Sequence, residues 1–259
     1  MDHTNIIVET GNDFIATITL DRPRSLNTFN MALATELDTA LRALDADKAV
    51  RVVIIKGSGK AFCAGIDVSD FFGKDLEAYR AWIACMEQPF VTIAAMRKPV
   101  IAMVHGVAAA NGAGLVAAAD LAIAADTSRI GLTAINVGLN CIGPVVPVAR
   151  SIGRKRSMEM LLFGNLYTAT EAQSMGLVNR VVPEAELERE TRAWAAVLAL
   201  KSPVALQHAK KAYYNSEDMD YTTAFEYMNE AFALLCTTRD AAEGIGAFLE
   251  KRPPVWKEE

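Results

Sequence analysis

The chain is 259 residues long, 52% hydrophobic and 22% charged, with a formal net charge of −5. That length can bury a full core, as one large domain or as one domain with a small appendage. The balance is that of a soluble enzyme, and the lack of a basic stripe argues against a nucleic-acid partner.

In chain order, IIVET (6–10) and FIATITL (14–20) are β-branched runs separated by Gly11-Asn12-Asp13, which predicts a hairpin. Asp21-Arg22-Pro23 ends the second strand. Asn27 or Asn30 can cap a helix from about Met31 to Ala46, with Leu33, Leu37, Leu41 and Leu44 on one face. RVVIIKG (51–57) and PVIAMVHG (99–106) are short and almost wholly apolar, as strands buried on both faces are. The Ala/Gly-rich AAANGAGLVAAAD reads as a tightly packed helix, and LAIAAD (121–126) as a further strand. Strand, strand and helix recur loosely, which suggests a spiral of such turns without an exact repeat.

Beyond Arg150 the pattern is helical. SMEMLLFG ends on Gly164, a natural C-terminal cap. Thr168 with Glu171 three residues later forms a capping box. LVNRVVP predicts a short strand stopped by Pro183, followed by helices over 184–201, 203–215, 218–236 and 239–250. The expected division is a core over 1–197 and a helical region over 198–259.

Cysteines 63, 85, 141 and 236 show no metal-ligand spacing, so free thiols, a reducing compartment and no metal site are expected. The opening residues lack a basic segment followed by an apolar run, so no secretory signal is predicted. The apolar stretches are broken short of the roughly 20 residues of a membrane span. A cytoplasmic protein with no membrane partner is the expectation.

Two segments carry chemistry. GSGKAFCAGIDVSDF (57–71) follows a buried strand, and its glycines let backbone approach a ligand closely; an ordinary Gly-rich turn has the same composition. HGVAAANGAGLVAAAD (105–120) places Asn111-Gly112 at the head of a helix, whose unpaired N–H groups and positive dipole end suit a developing oxyanion. Close helix packing is the alternative reason for its small residues. Neither segment has the Gly spacing of a dinucleotide fingerprint, so no redox cofactor is expected.

Together with DRPRSLNTFN (21–30), KPVIAMVHGVAAANGAGLVAAADLAIAAD (98–126), IGLTAINVGL (130–139), GLVNRVVPEAEL (176–187) and RDAAEGIGAFLEKRPPVW (239–256), these segments resemble the enoyl-CoA hydratase/isomerase (crotonase) family nearly end to end. The resemblance implies an α/β, crotonase-like spiral of repeated strand-strand-helix turns with a C-terminal α-helical trimerisation region. It implies a homotrimer or hexamer, and an acyl-CoA substrate that brings coenzyme A with it. It makes the backbone N–H groups of Ile66 and Asn111 the two oxyanion donors, with Asn111 standing where the family has a glycine. Ala64, Ile66 and Val68 would contact adenine through backbone, Arg24 would bind CoA phosphate, and Phe248 and Lys251 would reach CoA, often from a neighbouring subunit.

The family's hydratases use two glutamates as paired acid/base groups. In this chain those positions hold Gly114 and Ala134, neither able to move a proton. The resemblance then leaves three readings. The first is an enolate-stabilising enzyme without the usual pair, malonyl-type CoA decarboxylation included; the second is a non-catalytic acyl-CoA binder; the third is a conventional hydratase with a glutamate from another loop. Side chains that could substitute are Asp70, Glu77, Tyr79, Asn140 and Cys141, with Asn136 beside them. Asp67 reads as a loop organiser, Asp120 as a structural residue at a strand start, and His105 as a partner for backbone.

Overall fold

The computed structural model describes residues 3–257, the side chain of Asp70 excepted. β1 (Ile6–Thr10) and β2 (Ile15–Leu20) form the expected antiparallel hairpin, Ile6 facing Leu20. Asn30 supplies the cap of α1 (Met31–Ala46), its Oδ1 accepting from Leu33 N at 2.8 Å. Asn27 has another task. Fully buried at φ 57, it accepts from Arg22 N (2.8 Å) and donates to the Ser58 and Ala61 carbonyls (2.9 and 2.8 Å).

β3 (Val52–Gly57) pairs parallel with β2. α2 (Leu76–Ala95), capped by Asp75, then turns Trp82, Met86, Phe90 and Ile93 inward. β4 (Val100–Val104), β5 (Val107–Ala109) and α3 (Asn111–Ala118) follow. The predicted helix is thus shorter at its start, because residues 107–109 are extended. β6 (Leu121–Ala125) and β7 (Arg129–Gly131) precede α4 (Val145–Ile152) and α5 (Arg154–Phe163). β8 (Tyr167–Thr168), α6 (Ala169–Met175) and β9 (Arg180–Val182) complete the sheets. The Thr168–Glu171 capping box is present.

The large sheet runs β1-β2-β3-β4-β6-β9, parallel except for the first pair, and the small one β5-β7-β8. The strand residues alternate between two cores. Val53 and Ile55 join Leu33, Leu37, Met86 and Leu115, whereas Val52 and Ile54 join Leu187, Ala195 and Ala199 of α7 (Leu187–Ala199) on the opposite face. Burial on both faces is what the unbroken apolar runs foretold. After the large-sheet strands β2, β3, β4 and β6 the chain enters a second layer: Phe29, bridged to Ile66; Cys63, bridged to Ala108; then β5 and β7. This is the spiral repeat that the sequence showed only loosely.

α7 crosses position 197 while still packed on the sheet. α8 (Pro203–Ser216) is anchored by a buried cluster: Lys210 Nζ donates to Asp120 Oδ2 (2.7 Å) and Lys98 O (2.9 Å), and Tyr214 OH to Asp120 Oδ1 (3.0 Å). Asp120 also accepts from Val100 N (2.7 Å), so its structural reading holds. α9 (Tyr221–Cys236) buries none of its residues, and α10 (Arg239–Glu250) leaves Ile245, Phe248 and Leu249 exposed. Among the described residues no helix is long and apolar enough to cross a membrane, and no cluster of His, Cys, Asp and Glu could hold a metal ion.

Candidate active site

Two segments, leaving β3 and β4, run side by side. Phe62 N donates to His105 O (2.9 Å), Cys63 N to Val107 O (3.1 Å) and Ala109 N to Cys63 O (2.9 Å). Past the Cys63–Ala108 bridge Gly65 packs against Ala110, and the residues that follow each, Ile66 and Asn111, both line one cavity. The close approach depends on glycines. A Cβ on Gly112 would overlap the Cys63 carbonyl, and one on Gly65, at φ 114, would come 3.1 Å from Ala110 Cβ.

Ala110 holds φ 49 and ψ −112, a backbone state that costs a side-chain-bearing residue about 1–3 kcal/mol. The turn starts α3 at Asn111, and Gly114 N is the first amide to bond back, to Ala110 O (3.0 Å). The N–H groups of Ile66 and Asn111 donate to nothing among the described residues. Backbone donors inside proteins rarely lack a partner, and these two, on residues lining one cavity, are free to meet water or an acceptor that enters it. Asn111 is 2% exposed, and its Nδ2 has no partner either.

Both donors line a cavity of about 510 Å³. Its walls are mostly apolar, with Val68, Phe71, Trp82, Ile83 and Met86 from the first segment and α2, and Val137, Leu139, Ile142 and Pro144 from the stretch before α4. A mostly apolar cleft with a few polar groups is the usual form of a small-molecule site.

The structure gathers some of the expected residues and not others. Ala64, Ile66, Val68, Tyr79, Asn111, Ala134, Asn140 and Cys141 line the cavity. Tyr79 OH donates to Phe71 O (2.7 Å), and Asn140 Oδ1 accepts from Cys141 N (2.8 Å). Cys141 is buried, and burial raises its thiol above the ordinary range. Glu77 is exposed, paired with Arg80 and outside the lining. The side chain of Asp70 lies outside the described residues. Asn136 turns away, its Nδ2 donating to Gly164 O (2.9 Å). Arg24, Phe248 and Lys251 are exposed and outside the lining. Asp67 organises its loop as expected, paired with Arg22 (2.9 Å) and accepting from Ser69 Oγ (2.6 Å). His105 Nε2 lies 3.1 Å from Gly59 O.

Gly114 has no space for a longer side chain. A Cβ there would sit 2.9 Å from Pro144 Cβ and 3.1 Å from Phe90 Cε2. One lining carboxylate was missing from the sequence-derived candidates: Glu87 of α2. Burial raises its carboxyl above the ordinary 4.5, and it has no hydrogen-bond or ion-pair partner among the described residues. The signal was present, since Glu87 is the sole acidic residue in AWIACMEQPFVTIAAM (81–96).

A family model described as Enoyl-CoA hydratase/isomerase matches residues 10–259. The human mitochondrial "enoyl-CoA hydratase domain-containing protein 3" is 37% identical over 249 residues, covering 95% of this chain and 82% of that one. A probable enoyl-CoA hydratase of Mycobacterium tuberculosis is 36% identical over 255 residues, covering 98% of each. A Mycobacterium smegmatis enoyl-CoA hydratase crystal structure superposes with a TM-score of 0.95 at 36% identity, covering 98% of this chain and 99% of that one. The crystal structure of the human protein superposes at 0.94 and 35% identity, covering 98% and 100%. By model, sequence and fold alike, the chain belongs to the enoyl-CoA hydratase/isomerase family.

Proposed function

We propose that this protein binds an acyl-CoA thioester and polarises its carbonyl with the N–H groups of Ile66 and Asn111, stabilising an enolate. The observation that carries this reading is the pair of unpartnered amides, on two residues that line one cavity. As charge moves onto the thioester oxygen, fixed donors strengthen their hold without having to reorganise; removing one such donor from an enzyme typically costs about 10²- to 10³-fold in rate. The dipole of α3 adds to the same effect, Asn111 being its first residue.

The apolar walls suit a hydrocarbon acyl chain. Hydration by two glutamates is not the route, because Gly114 and Ala134 carry no carboxylate and Pro144 with Phe90 closes the space at Gly114. Coenzyme A is part of the substrate, and no separate cofactor is needed. Backbone at Ala64, Ile66 and Val68 contacts adenine in this reading, while Arg24, Phe248 and Lys251 meet the rest of CoA. The exposed apolar residues of α9 and α10 support assembly as a homotrimer or hexamer, which would bring a neighbour's Phe248 and Lys251 within reach.

The test is a panel of enoyl-, dienoyl- and malonyl-type CoA thioesters, with binding followed by calorimetry and products by mass spectrometry. Binding with turnover of one class supports the reading. Binding without any turnover favours the non-catalytic binder, and absence of binding refutes both.

A further inference from the structure

We propose that Glu87, delivered from α2 rather than from either family position, is the acid/base group of this site and works as a single proton shuttle. The proposal rests on the acyl-CoA reading above. Four observations place Glu87 there. Its side chain shares the cavity lining with Ile66 and Asn111. Its carboxylate lies over Gly143, where a Cβ would overlap it, so the glycine makes the space that the carboxylate fills.

Gly143 adjoins Pro144, and Phe90 follows Glu87 by one turn of α2. These are the two residues that abut Gly114. The residues that abut Gly114 therefore adjoin a carboxylate supplied by α2. Last, the carboxylate is half-buried with no partner among the described residues, in a cavity otherwise mostly apolar. A perturbed ionisable group in a cleft is a candidate for a functional role. The other titratable lining groups are less suited, because Tyr79 OH is engaged by Phe71 O and Cys141 is held neutral by burial.

The step balances within the site. Glu87 takes a proton from the carbon next to the thioester carbonyl. The C–H electron pair becomes the enolate double bond, and the carbonyl pair moves onto the oxygen held by Ile66 and Asn111. Return of the proton to the same carbon gives exchange with solvent. Return to the γ-carbon of an unsaturated chain moves the double bond. No second acid, metal or redox partner enters.

The experiment uses the full-length protein, hexanoyl-CoA and D2O, reading deuterium at the α-carbon by mass spectrometry and affinity by calorimetry. The wild type should bind and exchange. Glu87→Gln should bind with affinity within about threefold and exchange more slowly on the order of 10²- to 10⁴-fold. Glu87→Asp, which keeps an acid in the cavity, should fall between them. Binding without exchange in the wild type, or undiminished exchange in Glu87→Gln, overturns the inference alone. Absence of binding by the wild type overturns the acyl-CoA reading, and the inference with it.

Discussion

Gly114→Ala separates two opposing effects. Alanine inside a helix is normally worth about 1 kcal/mol over glycine, and Gly114 lies within α3 at a φ that alanine accepts. Against this, the new methyl would sit 2.9 Å from Pro144 Cβ, 3.1 Å from Pro144 Cα and 3.1 Å from Phe90 Cε2. Pro144 is a rigid ring and Phe90 is buried, so neither moves aside freely. Overpacking of this kind costs about 1–3 kcal/mol. Set against the gain of about 1 kcal/mol, the crowding leaves a net loss of roughly 0–2 kcal/mol, or a Tm lower by up to about 8 °C for a chain of this size. Urea denaturation with a matching thermal melt reads it. Gly114→Glu, which restores the family residue by name, should be less stable still and should gain no hydratase activity. A Gly114→Ala protein more stable than the wild type would refute the crowded wall, and with it the structural reason for excluding two-glutamate hydration.

Three further outcomes follow from other parts of the structure. Burial raises the Glu87 carboxyl above its ordinary 4.5, so the folded chain holds that proton to higher pH than the unfolded chain does. Stability is then lost as pH rises from 4.5 through the folded value. Glu87→Gln should therefore be the more stable protein in denaturation at pH 7, with the advantage gone below pH 4.5; a variant less stable at pH 7 would contradict this. Lys210→Met leaves Asp120 buried without its cation and should cost about 3–5 kcal/mol, more than the Lys210→Met/Asp120→Asn double variant; a double-variant cycle in urea with no coupling would count against the anchor. Burial pushes the Cys63 thiol up to about 12, so in native protein iodoacetamide should label exposed Cys236 and spare Cys63 and Cys141 by peptide mass spectrometry.

The sequence pointed to Ile66 and Asn111 through the family resemblance, since Gly-rich turns beside apolar strands have ordinary structural uses as well. The structure places both residues in the lining of one cavity. The same resemblance sets Gly114 and Ala134 at the family's glutamate positions, by their place in recognisable segments. Glu87 was not legible, because it belongs to no motif. It comes from a helix whose inward face is set by Trp82, Met86, Phe90 and Ile93, and only the folded chain shows that the next residue over faces the cavity. Glu77 lies in the same stretch, but its place at the exposed start of α2 gives it Arg80 rather than the cavity. The small sheet escaped notice because strands of two or three residues are too short to show a period of two. The helices beyond Ala199 were read in order, and the structure leaves their Phe225, Phe232, Ile245, Phe248 and Leu249 exposed.

The central claim is the grip on the thioester carbonyl, and a crystal structure of the protein with hexanoyl-CoA tests it most directly. The carbonyl oxygen should lie about 2.7–3.1 Å from both Ile66 N and Asn111 N, the reach of an oxyanion hole. A thioester seated in the cavity with its oxygen turned away from both amides would contradict the account.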